Sequence, residues 1–265
     1  MLISETQRRA FQTDGVTLLP GFLNQDEVAA ALKLFEWSLD NPGPAAGDLL
    51  PGRDGAKQDL VNPKAPAVYE DFLRAAPFSK ACKALWDAQN CWFMYEQVFR
   101  KDGANGVGRT PWHQDLPYLA IEGDDIAVFW ISFEAIPADR SLEFIRGSHK
   151  GTLYNGSAFD PDDETKPLYP SADLPRIPPY EAERERHEIV SFGVEPGDVV
   201  VFHPAIMHGG APTPAGTVRR TLSLRFFGDD AVFARRPFGG GVIVPAMKSL
   251  SPGDPFRHDS FLELA

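Results

Sequence analysis

The chain is poor in cysteine, in basic clusters and in long apolar runs, and each shortage narrows the reading. Cys82 and Cys91 are the only two cysteines in 265 residues. They fall on an expected helix and an expected strand, which suits buried reduced thiols at least as well as a disulfide. Acidic residues outnumber basic ones, 37 to 26, for a formal charge of −11, and no lysine- or arginine-rich run appears. Such a chain repels nucleic acid and anionic membrane surfaces, so the expected partner is a small molecule. No segment approaches the roughly 20 apolar residues of a membrane span, and the opening "MLISETQRRAFQTDG" lacks the apolar stretch of a signal peptide. A soluble, cytoplasmic protein is expected, with nothing in the sequence to set its oligomeric state.

What is present is enough for a sizeable core: 43% of the residues are hydrophobic. Neither an internal repeat nor a linker divides the chain, so a single domain over 1–265 is expected. In "DGVTLLPGFLNQDEVAAALKLFEWSL" a short strand and a Pro20-Gly21 turn lead into an amphipathic helix. Asn24 and Glu27 have capping-box spacing there, and Val28, Leu32, Phe35 and Leu39 recur at helical intervals. Residues 41–56 are rich in proline and glycine and read as a flap or a long connection. A second helix is expected over 67–89, broken near Pro77.

After Asn90 the texture changes. "CWFMYEQVFR", "DIAVFWISFE", "LEFIR", "HEIVSF", "DVVVFH" and "RRTLSLRFF" are short β-rich runs with no helix between them, which indicates an antiparallel sandwich or barrel. The expected layout is helical support in 1–90, a β core in 91–230 and a tail in 231–265. The acidic, proline-rich stretch 154–187 is an insert of the length seen in lids, binding loops or disordered segments.

Chemistry concentrates in "TPWHQDLPYLAI". His113 and Asp115 are two residues apart, and on an extended chain, favoured by the flanking Pro111 and Pro117, they aim at one point. A second histidine would complete a facial triad with three open metal positions. His208 is the favoured third ligand, because it follows the strand "GDVVVFH" and begins the loop "GGAPTPAG". His203 is its rival, though beside Pro204 it suits a hydrogen-bonded core position. His149, His187 and His258 read as structural or solvated. Alone, a His-x-Asp pair is a weak signal, more often two polar residues on a loop than part of a metal site.

The strand "VRRTLSLRFF" adds weight. Arg219, Thr221, Ser223 and Arg225 share one face, and Arg220, Leu222, Leu224 and Phe226 share the other, so packing the apolar face against helices turns Arg219 and Thr221 into the barrel. A guanidinium beside an open metal site holds a carboxylate in bidentate fashion. Burying it without an anion would cost about 3–5 kcal/mol, by analogy with broken buried pairs. A one-residue shift of register would put Arg220 in its place, and a surface Arg219 paired with an acidic neighbour is the plain alternative.

These motifs, "PWHQD", "LEFIRGSHKG", "GDVVVFH", "HGG" and "RRTLSLRFFGDD", in this order and spacing, resemble the phytanoyl-CoA dioxygenase family of iron(II)- and 2-oxoglutarate-dependent oxygenases. The resemblance runs from "GVTLLPGFL" to "PGDPF" and implies a mainly β fold with flanking helices, a double-stranded β-helix or jelly-roll core. It also implies that His113, Asp115 and His208 bind Fe(II) and that Arg219 binds the distal carboxylate of 2-oxoglutarate, with Thr221 beside it. Gln97 and Lys101 match positions near the cosubstrate, Gln114 one beside the metal, and Trp130 is a candidate cavity residue. Dioxygen is then the oxidant, succinate and carbon dioxide are released, and hydroxylation of a small metabolite is the default outcome. Intact Asp115 disfavours halogenation, since related halogenases carry a small residue there. The flap, the insert and the tail after Ala231 are the expected sites of substrate selection, and the acidic chain suggests an apolar or cationic metabolite rather than a coenzyme A ester. The alternatives are a cupin-like isomerase or dioxygenase that uses no 2-oxoglutarate, with Arg219 as the feature against it, and a jelly-roll binding protein without catalysis.

Overall fold

Residues that alternate along one strand decide which way the molecule folds, and the computed structural model shows that alternation resolved into two facing sheets. It describes residues 2–50, 55–160, 162–170, 173–237, 247 and 249–265. In chain order the first elements are α1 (Glu5–Asp14), β1 (Val16–Leu19), α2 (Gln25–Asp40), β2 (Gly47–Asp48), β3 (Ala56–Leu60), α3 (Ala65–Ala75), α4 (Phe78–Trp86) and β4 (Cys91–Asp102). There follow β5 (Thr110–His113), β6 (Ile121–Glu122), β7 (Ile126–Ser132), β8 (Leu142–Ile145) and β9 (Ile189–Ser191). The last are β10 (Val199–Phe202), β11 (His208–Gly210), β12 (Val218–Phe227), β13 (Val232–Phe233) and β14 (Leu262–Leu264).

The larger sheet has the order β1-β10-β7-β12-β4-β3-β2, with β14 also pairing β4, and the smaller has the order β5-β11-β8-β9. Their ladders are antiparallel, and the two sheets make the jelly-roll. Leu222, Leu224 and Phe226 of β12 join Val98 of β4 and Phe129 of β7 in a core closed by Phe35 of α2, Tyr69 of α3 and Phe78 of α4. Phe78 stacks on Phe226 at 5.3 Å and meets Phe129 edge-on at 5.5 Å. Each such ring contributes about 1.5–3 kcal/mol by leaving water. The opposite face of β12, starting from Arg219, is left to line the interior between the sheets.

The helical scaffold follows local chemistry. In α2 the Asn24 side chain accepts from the Glu27 amide at 3.0 Å, and the Glu27 carboxylate accepts from the Asn24 amide at 2.7 Å, the reciprocal cap expected from the sequence. The expected helix over 67–89 is two helices, because Pro77 cannot supply an amide to continue α3. Helix α1 and strand β3 are among the elements that went unanticipated. Helix α1 buries only Phe11, so its apolar periodicity is faint even though Ser4 and Gln7 form a capping box. Strand β3, "AKQDL", is polar by composition and gains its place by pairing with β4. No helix among the described residues is long and apolar enough to cross a membrane.

The described parts of the insert are tied to the rest of the fold. Asn155 donates to the Tyr169 carbonyl and accepts from the Tyr169 amide, which closes one of its loops. Glu143 of β8 pairs with Arg109 at 2.8 Å and with Arg184 of the insert at 2.6 Å. Glu181 accepts from the Trp112 indole at 3.0 Å. Parts of the three expected selection segments, namely 51–54 in the flap, 161 and 171–172 in the insert, and 238–246 and 248 in the tail, lie outside the described residues.

Candidate metal centre

The ladder between β5 and β11 sets His113 directly opposite His208. The two imidazole rings lie 4.2 Å apart between centroids. Glycine makes this approach possible, since a Cβ on Gly209 would meet the Thr110 carbonyl oxygen at 3.0 Å. His208 is therefore part of a short strand rather than the start of a loop. Each ring's Nδ1 faces a backbone carbonyl, Pro111 O at 2.8 Å for His113 and Ile206 O at 3.0 Å for His208. A carbonyl only accepts, so each Nδ1 carries the proton and each Nε2 presents a bare lone pair.

Asp115 meets those lone pairs by a route the sequence did not indicate. The chain is extended only as far as His113. Asp115 has helical dihedrals and starts the 3₁₀ turn Leu116–Tyr118, of which Pro117 is a member. The turn is anchored by Pro204, whose carbonyl accepts from the amides of Asp115 and Leu116. It carries Oδ1 of Asp115 to 3.5 Å from His113 Nε2 and 3.8 Å from His208 Nε2. The three side chains offer ligand atoms within 4.8 Å of one another, and no other such cluster occurs among the described residues. Two neutral imidazoles and one carboxylate, with their lone pairs converging, fit a divalent transition metal.

The protonation states suit that task. Burial pushes His208 down to about 3, helped by His113 nearby, so its imidazole is neutral at physiological pH. Burial alone would raise the Asp115 carboxyl. The Arg225 charge outweighs it and holds Asp115 well below the usual carboxylate range. Arg225 Nη2 donates to Asp115 Oδ2 at 2.8 Å, while its guanidinium covers the Tyr95 ring at 4.7 Å.

Beside this cluster lies a cavity of about 280 Å³. Arg219 and Thr221 line it, as the strand alternation requires, with Gln97, Lys101 and Trp130. Arg220 points the other way and pairs with Glu134 at 2.7 Å. Arg219 donates to the carbonyls of Ala211, at 3.4 Å, and Arg140. Among the described residues it has no carboxylate partner within 4 Å, and burial lowers it to about 10. Lys101, opposite Arg219 across the β12–β4 ladder, donates to Thr110 Oγ1 at 2.7 Å. Burial, then Arg219 and Arg109, bring it down to about 7. Gln97 donates to Gln58 at 3.0 Å.

One expectation changes. Gln114 does not face the cavity: its amide donates to the carbonyls of Thr152 and Ala205 and accepts from the Tyr154 amide. It braces the turn that carries Asp115 and has no donor left for a cosubstrate. His203 is a core residue, its Nε2 on the Gly123 carbonyl and its Nδ1 on the Ala205 amide, and burial lowers it to about 4. Phe159 of the insert reaches the cavity, with its ring 5.0 Å from that of His113 and its φ at +51°. No sequence signal marked Phe159, whereas Arg225 was already assigned to the inward face and lacked only a role.

A family model described as phytanoyl-CoA dioxygenase (PhyH) matches residues 11–221. The chain is 25% identical over 247 residues to a Caenorhabditis elegans protein named probable phytanoyl-CoA dioxygenase, covering 86% of this chain and 77% of that one. A solved non-haem α-ketoglutarate-dependent carbocyclase from nogalamycin biosynthesis is similar at a TM-score of 0.74 and 20% identity, covering 99% and 97% of the two chains. An epimerase solved in complex with Fe3+, α-ketoglutarate and nogalamycin RO is similar at 0.73 and 17%, covering 98% of each.

Proposed function

The chain belongs to the phytanoyl-CoA dioxygenase family, and from that premise we propose that it is a single-domain, cytoplasmic iron(II)- and 2-oxoglutarate-dependent dioxygenase that oxidises a small metabolite, by hydroxylation in the simplest case. The observation that carries the reading is the meeting, in one cavity, of a His-Asp-His cluster with two buried cations that have no counter-ion among the described residues. His113 Nε2, Asp115 Oδ1 and His208 Nε2 would hold the metal. Ferrous iron bound there supplies the redox chemistry by which dioxygen converts 2-oxoglutarate to succinate and carbon dioxide and oxidises a substrate C–H bond.

The chain's own residues bind, orient and shield. Arg219 and Lys101 neutralise the distal carboxylate of the cosubstrate, with Thr221 and Gln97 within the same wall. The carbonyls of Pro111 and Ile206 keep both imidazoles in the ligating tautomer. Phe159, Tyr118, Trp130 and Phe202 give the cavity an apolar lining that limits water around the reacting centre and accepts an apolar substrate body. A cationic substrate, compatible with the acidic chain as a whole, does not suit an interior that holds Lys101, Arg219 and Arg225. The cations also weigh against an enzyme that uses the metal alone, which would leave them buried without purpose.

The reading is tested by adding 2-oxoglutarate anaerobically to the iron(II)-loaded protein. A visible charge-transfer band saturating at one equivalent is expected. No band with folded, stoichiometrically loaded protein would contradict the assignment.

A further inference from the structure

Arg225 belongs neither to the ligand cluster nor to the anion site, yet it is only 4% exposed and lies in the cavity wall. It stands six residues along β12 from Arg219, on the same face, opposite Tyr95 of β4 and just before a bulge in that ladder. Its Nε and Nη1 have no hydrogen-bond partner among the described residues. Burying a guanidinium with two of its three nitrogens unpaired is costly. What offsets that cost is the ion pair with Asp115 and the Tyr95 ring beneath it.

The pair is made with one carboxylate oxygen only. Oδ1 of Asp115 faces the two imidazoles, at 3.5 and 3.8 Å, while Oδ2 accepts from Arg225 at 2.8 Å. A carboxylate with both oxygens free can chelate a divalent cation through both and fill one more position around it. A carboxylate with one oxygen hydrogen-bonded to a pinned guanidinium is disfavoured from doing so, because turning that oxygen towards the cation strains the bond. The Asp115 amide is fixed as well, on the Pro204 carbonyl at 2.8 Å, so rotation of the side chain is the main freedom left to it.

We propose that Arg225 is a positioning residue that holds Asp115 as a one-oxygen ligand and so reserves a metal position for the chelating cosubstrate. The inference rests on the oxygenase reading for what fills that position. Lysine cannot reproduce the arrangement, because its ammonium is a rotatable point charge that cannot lie flat over the Tyr95 ring.

The test uses the full chain loaded with cobalt(II), as wild type, Arg225→Gln and Arg225→Lys. Cobalt affinity and visible spectrum are measured first, then 2-oxoglutarate affinity by calorimetry. Arg225→Gln should bind cobalt about tenfold more weakly, as when a ligand's outer partner is lost, and show an altered d–d spectrum. It should bind 2-oxoglutarate at least about tenfold more weakly, with Arg225→Lys in between. A wild-type spectrum together with unchanged 2-oxoglutarate affinity in Arg225→Gln would overturn the inference. Should the variants fail to fold, the crystal structure of cobalt-loaded wild type decides. Asp115 bound through Oδ1 alone, with Oδ2 on Arg225, supports the proposal, and chelation through both oxygens overturns it. If wild type binds cobalt and no 2-oxoglutarate, the oxygenase reading fails, while the cobalt spectrum and the mode of Asp115 binding still decide the role of Arg225.

Discussion

Replacing Arg219 with alanine removes a guanidinium that is 7% exposed and unpaired with any carboxylate among the described residues. Of its five N–H donors, two are directed at the carbonyls of Ala211 and Arg140. Three remain for an anion. Leaving a buried carboxylate without its partner costs about 3–5 kcal/mol, and each 1.4 kcal/mol is tenfold in affinity. The Kd for 2-oxoglutarate is therefore expected to rise by about two to three and a half orders of magnitude. Metal affinity should hold within about threefold, because Arg219 touches none of His113, Asp115 and His208. Arg219→Lys keeps the charge without the fork and should lie between the two. The assay is calorimetric titration of cobalt-loaded protein, with circular dichroism and thermal melting to establish that each variant is folded. A folded Arg219→Ala protein whose 2-oxoglutarate Kd stays within threefold of wild type would refute the anion site.

Two further outcomes follow from the same geometry. Lys101 sits at about 7 while the cavity lacks an anion, and a bound carboxylate must raise it, so binding takes up a proton above pH 7. The 2-oxoglutarate Kd should then rise about tenfold between pH 7 and 8.5 and level off below pH 7, by ordinary proton linkage. Lys101→Met should bind more weakly and lose this dependence; calorimetry in buffers of different ionisation enthalpy measures the proton directly, and a flat wild-type profile counts against the role. Gly209→Ala would bring a Cβ to 3.0 Å from the Thr110 carbonyl and 3.6 Å from the Pro111 carbonyl that orients His113. It should weaken metal binding by about tenfold or more, by the magnitude seen when a ligand's outer support is lost; an unchanged cobalt affinity would show that β11 can shift without cost.

Much of this site was legible in the chain because strands have a period of two. Once Leu222, Leu224 and Phe226 were assigned to the helices, Arg219, Thr221 and Arg225 had to face inward, and the structure places them there. His208 stood out because glycines followed it, although their physical use is a close strand pairing rather than a loop. The His113–Asp115 spacing was read as strand alternation, and the chain instead turns after His113, held by the Pro204 carbonyl and by Gln114. That anchor lies some 90 residues away in sequence, so no local pattern could announce it. The same applies to Phe159 and to β3, whose positions depend on packing against β5 and β4. Helix α1 was legible through its Ser4–Gln7 cap and was missed because a single buried phenylalanine makes a weak period.

The proposed function requires that His113, Asp115 and His208 hold an iron that consumes 2-oxoglutarate and dioxygen. It is tested most directly by succinate formation from 2-oxoglutarate under air, with iron(II) and ascorbate, comparing wild type with His113→Ala. Wild type should release succinate slowly even without a prime substrate, and the variant, whose site keeps only two of its three ligands, should not. Equal succinate release by a folded His113→Ala protein would contradict it.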